Sequence, residues 1–258
     1  MKGYAMLRKA LFALLFVSPI CLSQSLVSLE YQKPKGKKAT QVQQLIVESG
    51  VNDEFIQLVD NTLPFEEPVS LVYGNLASEG PSYDPETHTI YIPYAFVLES
   101  QSYFSKHRSD DEVNQGAIDT LMHTLLHEAG HALVADNRIS ILGKEEDAVD
   151  NLATIIMLNY LDNGGDAAIN AADMFDYESD DGGEYYDFAE YAGVHSFNLQ
   201  RYFATLCLVY GSDPDTYAGL LDEIEEDSLE EQQDVCEETY HQLNDNWHQY
   251  LNDSNDEG

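Results

Sequence analysis

Basic residues are scarce in this chain. Only 12 Lys and Arg stand against 47 Asp and Glu among its 258 residues, which gives a formal net charge of −35 at pH 7. A surface this acidic repels nucleic acid and anionic membranes, so neither is expected as a partner. The charge is better explained as a solvated surface than as a specific acidic binding patch, although it would attract cationic peptides.

Cysteine is also rare, with three in the chain. Cys21 lies in a predicted export signal, which leaves Cys207 and Cys236 in the mature chain. In an oxidising compartment these two are expected to form a disulfide; two separate buried thiols are the alternative. Neither cysteine lies near the histidine-containing segment 127–131 in sequence, and nothing indicates a cysteine nucleophile.

Long hydrophobic runs are confined to the beginning of the sequence. Basic residues precede the apolar run 10–20, which indicates a secretory signal over residues 1–23 and export to the periplasm or out of the cell. No membrane insertion is expected after signal cleavage. Residues 24–40 are predicted to be a flexible, lysine-containing leader, followed by one domain over 41–253 and a polar tail over 254–258.

The pentapeptide HEAGH carries most of the chemical information. Two histidines four apart project from one face of a helix about one turn apart, so His127 and His131 can both bind one metal ion. Glu128 is then placed to act as a general base on water activated by that ion. His123 lies too far along the same helix to share the ion easily and is interpreted as a structural or cleft-lining residue.

A catalytic zinc needs a third protein ligand and an open position for water, and the next predicted helix offers candidates. Glu146 and Asp150 lie four apart and share a face near the start of that helix. Glu145 and Asp147 compete for the ligand role. The alternative is that the acidic cluster only stabilises the helix start through the helix dipole.

These two motifs resemble those of the gluzincins, zinc peptidases whose third ligand is a glutamate on the helix after HExxH. The resemblance implies that Glu146 binds Zn²⁺ and that Asp150 orients a ligand histidine. It also implies a donor to the developing oxyanion from the distal helical half. By order in the chain this is His195, with Arg201 and Tyr191 as alternatives, although a lone histidine is more often structural.

The chain is also similar to a family of bacterial putative metallopeptidases known as domain of unknown function 4344. The similarity extends from about Val42 to Tyr250. Its most specific parts are the segments LHEAGHAL and GKEEDAVD, and HSFNLQR, YGSDP, Cys236 and Trp247 fit as well. It implies a metallopeptidase domain without specifying the substrate.

Two further segments leave alternatives open. The β-branched and aromatic residues 89–94 predict a strand, which either presents its edge to an extended substrate or is an ordinary sheet strand. The acidic, glycine-containing residues 176–184 form either a solvated loop or a calcium site, and they lack the register of the EF-hand loop.

Together these observations predict an α+β domain that is mainly helical and zincin-like, with a small sheet over the active-site helix and a helical lower half across the cleft. The expected function is hydrolysis of peptide bonds in a peptide or protein substrate with one Zn²⁺ per chain. His127, His131 and Glu146 would be the ligands and Glu128 the general base. A catalytically inactive zinc-binding module for a peptide or partner, and a noncatalytic helical scaffold, are the alternatives.

Overall fold

The protein is mainly helical and carries one small mixed sheet, as the α+β prediction requires. The computed structural model describes residues 25–75, 80–181, 188–222 and 224–252. The strands are β1 (Val27–Tyr31), β2 (Val69–Gly74), β3 (Ser82–Asp84) and β4 (Thr89–Pro93). The helices are α1 (Lys37–Ser49), α2 (Val51–Thr62), α3 (Tyr94–His107), α4 (Asp110–Asn137), α5 (Glu145–Tyr160), α6 (Gly164–Ser179), α7 (Phe188–Tyr191), α8 (Asn198–Ser212) and α9 (Glu226–Trp247).

The segment before α1 corrects one sequence prediction. Residues 24–40 were expected to be a flexible leader, yet they contain strand β1 and the beginning of α1. β1 pairs in parallel with β2, and Val27 is buried against the core, so pairing and burial order this segment. The predicted signal over 1–23 and the tail over 254–258 lie outside the described residues. None of the described helices combines the length and hydrophobicity needed to cross a bilayer.

Helix α4 is the centre of the fold. It begins after Ser109, whose backbone N–H donates to the Glu112 carboxylate at 3.1 Å, and three acidic residues occupy its first turn, where they suit the helix dipole. The helix contacts α3, α5, α6 and the sheet. Because neighbours surround it, most of its length from Gly116 to Val134 is buried, and its polar HEAGH residues lie within the fold.

The sheet lies beside α4 in the order β1-β2-β4-β3. β4 pairs in parallel with β2 and antiparallel with β3, so both of its edges are occupied. Of the two alternatives left open for residues 89–94, the structure therefore supports the ordinary interior strand and excludes a free edge for substrate. Its neighbour β3 is the outermost described strand on this side and approaches α4.

The acidic residues 176–184 are only partly described. Residues 176–179 form the last turn of α6 rather than a loop, and residues 182–184 lie outside the described part of the chain. Within the residues that the structure describes, no cluster of metal-ligating groups forms at this end of α6. The segment thus continues an amphipathic helix whose buried side includes Phe175 and Tyr177.

Helices α8 and α9 pack against each other and are joined by the predicted disulfide between Cys207 and Cys236. Cys236 is fully buried. Gly211 lies so close to the Cys236 backbone that a Cβ there would sit 2.3 Å from the carbonyl oxygen. The disulfide therefore links two helices whose backbones are already closely packed.

Replacing both cysteines with serine should lower the free energy of unfolding by about 2–4 kcal/mol, because the bond restricts a loop of 29 residues in the unfolded chain. Urea unfolding of the mature protein measures this change. A reductant should weaken the natural protein by a similar amount and leave the double variant unaffected. Equal stability of the oxidised natural protein and the double variant would contradict the bond's contribution.

Candidate metal centre

His127 and His131 lie one turn apart on α4, and a carboxylate orients each ring. The Nδ1 atom of His127 is 2.7 Å from Asp150 Oδ1, and the Nδ1 atom of His131 is 2.8 Å from Glu145 Oε1. A carboxylate on Nδ1 holds the proton there and leaves Nε2 with a free lone pair, which is the tautomer a metal needs. Both imidazoles are thus prepared to bind through Nε2.

Glu146 brings a carboxylate to the same point. Its Oε2 atom lies 3.2 Å from His127 Nε2 and 3.4 Å from His131 Nε2. Two donors that each bind a tetrahedral zinc at about 2.0–2.1 Å are roughly 3.4 Å apart, so each of these two distances from Glu146 suits a pair of ligands of one ion. Two imidazoles and a carboxylate also form a donor set that zinc accepts.

The close approach of α4 and α5 makes this convergence possible. Gly130, inside the HEAGH motif, faces Val149 of α5, and a Cβ added to it would lie 2.9 Å from the Val149 Cβ. Any larger residue would push the two helices apart. Since Glu146 lies about one turn before Val149 and Asp150 follows it directly, the contact at Gly130 helps to bring both carboxylates close to the imidazoles.

Asp150 is itself held from the opposite side by Arg201 of α8. The Arg201 Nε and Nη2 atoms donate to the two Asp150 oxygens at 2.7 and 2.8 Å, and the guanidinium stacks on the Phe175 ring at 3.9 Å. Burial would raise the pKa of Asp150, yet hydrogen bonds from His127 and Arg201 hold it well below its usual range. Arg201, an alternative oxyanion donor in the sequence, is therefore committed to the carboxylate behind His127.

The Glu146 carboxylate is surrounded by imidazoles, and this arrangement shifts the pKa values of the groups in the centre. Hydrogen bonds with His127, His131 and His195 lower the pKa of Glu146 far below the ordinary value. Burial opposes protonation of His127, but bonds to Asp150 and Glu146 outweigh it and raise its pKa to about 9. Against the effect of burial, Glu146 and Glu145 also raise the pKa of His131, so protons on His127 and His131 are favoured beside the Glu146 carboxylate. A metal cation would take the place of those protons.

Glu128 has a different environment. Its side chain is buried, with 5% of the residue exposed, and burial raises its pKa in spite of the nearby His127 and His131. No hydrogen bond from a described residue reaches its carboxylate, which leaves the oxygens available to a proton donor in the cleft. A buried carboxyl with a raised pKa is suited to general acid–base work near neutral pH.

A cavity of about 400 Å³ opens over these groups. Strand β3 and its flanks form one wall, with Tyr83 and Pro85 among the lining residues, and α4 and α5 form the opposite wall. The cavity is lined by Glu128, by Glu146 and by the three histidines that lie near Glu146 Oε2, which are His127, His131 and His195. It combines an open approach with a buried carboxyl and a metal-ligating cluster, which is the composition expected of an active site.

His195 directly contacts the candidate ligand Glu146, which a role as oxyanion donor does not require. Its Nε2 atom is 2.8 Å from Glu146 Oε2. The donor atoms of His127, Glu146 and His195 all lie within 4.8 Å of one another, and they form the one group of three or more potential ligands found in the described part of the chain. His131 is outside that group and meets it through Glu146.

The other sequence candidates have different positions. Glu145 contacts the outer nitrogen of His131, and Asp147 accepts a hydrogen bond from Ser196 at 2.8 Å, so neither points at the cluster. Tyr191 packs edge-on against Phe197 and does not line the cavity. His123 is buried against Phe175, and burial lowers its pKa to about 4, in keeping with its structural interpretation.

The family described as putative metallopeptidase, DUF4344, matches residues 31–251. The chain belongs to this family. No curated protein and no solved structure gives a significant match. Membership indicates a metal-dependent peptidase that acts on peptides, and the cluster around Glu146 is a group able to hold the metal ion.

Replacing Gly130 with alanine should weaken zinc binding by about tenfold or more, because the added methyl group separates the helices that carry the donors. Competition with a chelator of known affinity measures the change. Gly143→Ala is the matched control, since a Cβ at Gly143 meets nothing within 4 Å. Equal zinc affinity in both variants would show that the helix distance does not control the site.

The stability of the protein should depend on pH through the buried carboxyl of Glu178. Burial raises its pKa to about 7, against the opposing effect of Arg201. The folded protein therefore keeps this proton where the unfolded chain has lost it, so the free energy of unfolding falls as pH rises from about 4.5 to 7. The free energy of unfolding of the Glu178→Gln variant lacks this fall with pH. Relative to the natural protein, it should therefore rise by up to about 3 kcal/mol between pH 4.5 and 8. Urea unfolding at several pH values tests this, and a pH-independent difference would contradict it.

Proposed function

We propose that the protein is a zinc-dependent peptidase with a zincin-like arrangement, in which His127, His131 and Glu146 hold the ion. The observation that carries the proposal is the meeting of both Nε2 atoms with one Glu146 oxygen, while the two Nδ1 atoms are held by carboxylates. Family membership supports the peptidase activity. The expected export signal would place that activity in the periplasm or outside the cell.

Bound zinc would polarise the scissile carbonyl and lower the pKa of the attacking water. Glu128 takes the proton from that water and then delivers it to the leaving amine. Its raised pKa favours both steps, because a carboxyl that ionises nearer neutral pH is a better base than an ordinary glutamate and can still return the proton. The absence of a competing hydrogen bond from the described residues leaves it free for this exchange.

The residues behind the ligands keep the imidazoles in position during the reaction. Asp150 fixes the ring of His127, and Arg201 keeps Asp150 ionised and oriented. Glu145 has the corresponding role for His131 but is more exposed. These contacts preserve the tautomers that leave both Nε2 atoms facing the metal position.

The sheet side of the cavity indicates how a substrate would be held. β3 is the outermost described strand there, and Tyr83 lines the cavity directly. An extended peptide can pair with the main chain of such a strand, and this pairing is largely indifferent to side-chain identity. We therefore assign the substrate-pairing role to β3 in place of β4.

Glu128→Gln should lower peptide cleavage by about 10²- to 10⁴-fold, because the amide keeps the shape of the side chain and cannot accept the proton. Zinc content should remain near one ion per chain. The measurement is cleavage of a broad peptide library by mature, zinc-loaded protein, with mass-spectrometric detection.

Glu54→Gln is the control, since Glu54 is an exposed residue of α2 remote from the cavity. Cleavage by the Glu128 variant at the natural rate would refute the mechanism. A natural protein that binds zinc and cleaves no member of the library would indicate a zinc-binding module without turnover.

A further inference from the structure

His195 touches the same carboxylate oxygen as the two motif histidines. Its Nε2 atom lies 2.8 Å from Glu146 Oε2, and its donor lies within 4.8 Å of both the His127 and Glu146 donors. We propose that His195 is a fourth protein ligand of the metal, in addition to His127, His131 and Glu146. This inference rests on the proposed zinc site and concerns how that site is closed.

Two side-chain bonds position the segment that carries His195. Lys144, the residue before α5, donates from Nζ to the His195 carbonyl oxygen at 2.8 Å. Ser196 donates from Oγ to Asp147 Oδ2 at 2.8 Å. Both partners flank Glu145 and Glu146, so the His195 segment is fastened to the same helix turn that presents the carboxylate ligand.

These two hydrogen bonds, here called the Lys144–Asp147 clip, distinguish His195 from a histidine that meets a carboxylate by chance on the surface. The clip holds the backbone of residue 195 and the side chain of Ser196, which leaves the imidazole of His195 free to point at Glu146. The ring contact at 2.8 Å is a hydrogen-bond distance. Two ligands of one zinc are only about half an ångström farther apart than this contact, so His195 and Glu146 already lie near a shared coordination distance. His131, which lies outside the group of mutually close donors, would also have to move toward them as the metal binds.

Four protein ligands would close the metal centre. A structural zinc has four protein ligands, whereas a catalytic zinc keeps a position open for water or substrate. The His195 side chain is half exposed, at 51%, whereas the His127 side chain is 9% exposed. His195 is therefore the ligand able to withdraw into solvent, and its release would open the position that catalysis requires.

A role as an oxyanion donor alone makes a different prediction. Such a donor acts on the substrate and leaves the metal ligands unchanged, so its removal lowers turnover and spares zinc binding. A ligand contributes to zinc affinity and to the zinc absorption spectrum even when no substrate is present. Metal coordination in the resting protein therefore separates the two roles without any measurement of activity.

The experiment is X-ray absorption spectroscopy of mature protein loaded with one equivalent of zinc, in which scattering from the rings counts the imidazole ligands. The natural protein should show three imidazoles and His195→Ala should show two. His241→Ala, which removes an exposed histidine of α9, should keep three. Competition with a chelator should show that the His195 variant binds zinc more than about 100-fold more weakly than the natural protein, which exceeds the roughly 10- to 100-fold effect of an outer-shell partner.

Two imidazoles in the natural protein, with zinc affinity unchanged in His195→Ala, would overturn the inference and leave the proposed peptidase intact. Three imidazoles in a protein that cleaves no peptide would support the inference and count against the proposed function. Addition of free imidazole to the His195 variant should restore the three-imidazole spectrum. This restoration excludes misfolding as the cause of the loss.

Discussion

The centre depends on one packing constraint, the distance between α4 and α5. Imidazoles on one helix and a carboxylate on the next can share an ion only when the helix backbones approach closely. Gly130 permits that approach because Val149 occupies the space where its side chain would be. The same contact brings Asp150 to the outer nitrogen of His127, so one residue without a side chain sets both the ligand distance and the ring orientation.

The carboxylates around the cavity have separate tasks because their surroundings differ. Asp150 is paired with Arg201 and stays ionised, whereas burial raises the pKa of Glu128. Glu146 faces three imidazoles, and hydrogen bonds with them lower its pKa. Environments that move the pKa values of neighbouring acids apart are typical of sites that need an anionic ligand and a proton carrier at the same pH.

Sequence reasoning succeeded where a property depends on local spacing. The i, i+4 relation of His127 and His131 and the acidic start of the next helix are local, and the structure brings these residues together. The sequence left open whether residues 89–94 present a free edge because pairing between separate segments decides strand order, and β3 covers that edge. The order of residues 24–40 likewise depends on pairing with β2, which four nearby lysines do not reveal.

The position of His195 could not have been derived from the sequence. It depends on two hydrogen bonds, from Lys144 to the His195 carbonyl and from Ser196 to Asp147, which join segments about 50 residues apart. Two hydrogen bonds at the protein surface stabilise the closed segment by only about 0.5–1.5 kcal/mol each. The segment therefore contributes little resistance of its own, and in the proposed centre the bond between the imidazole and the metal would account for most of the barrier to opening. A substrate carbonyl that binds the metal in place of this ring would open the centre by exchange, so admission to the site would depend on the incoming ligand.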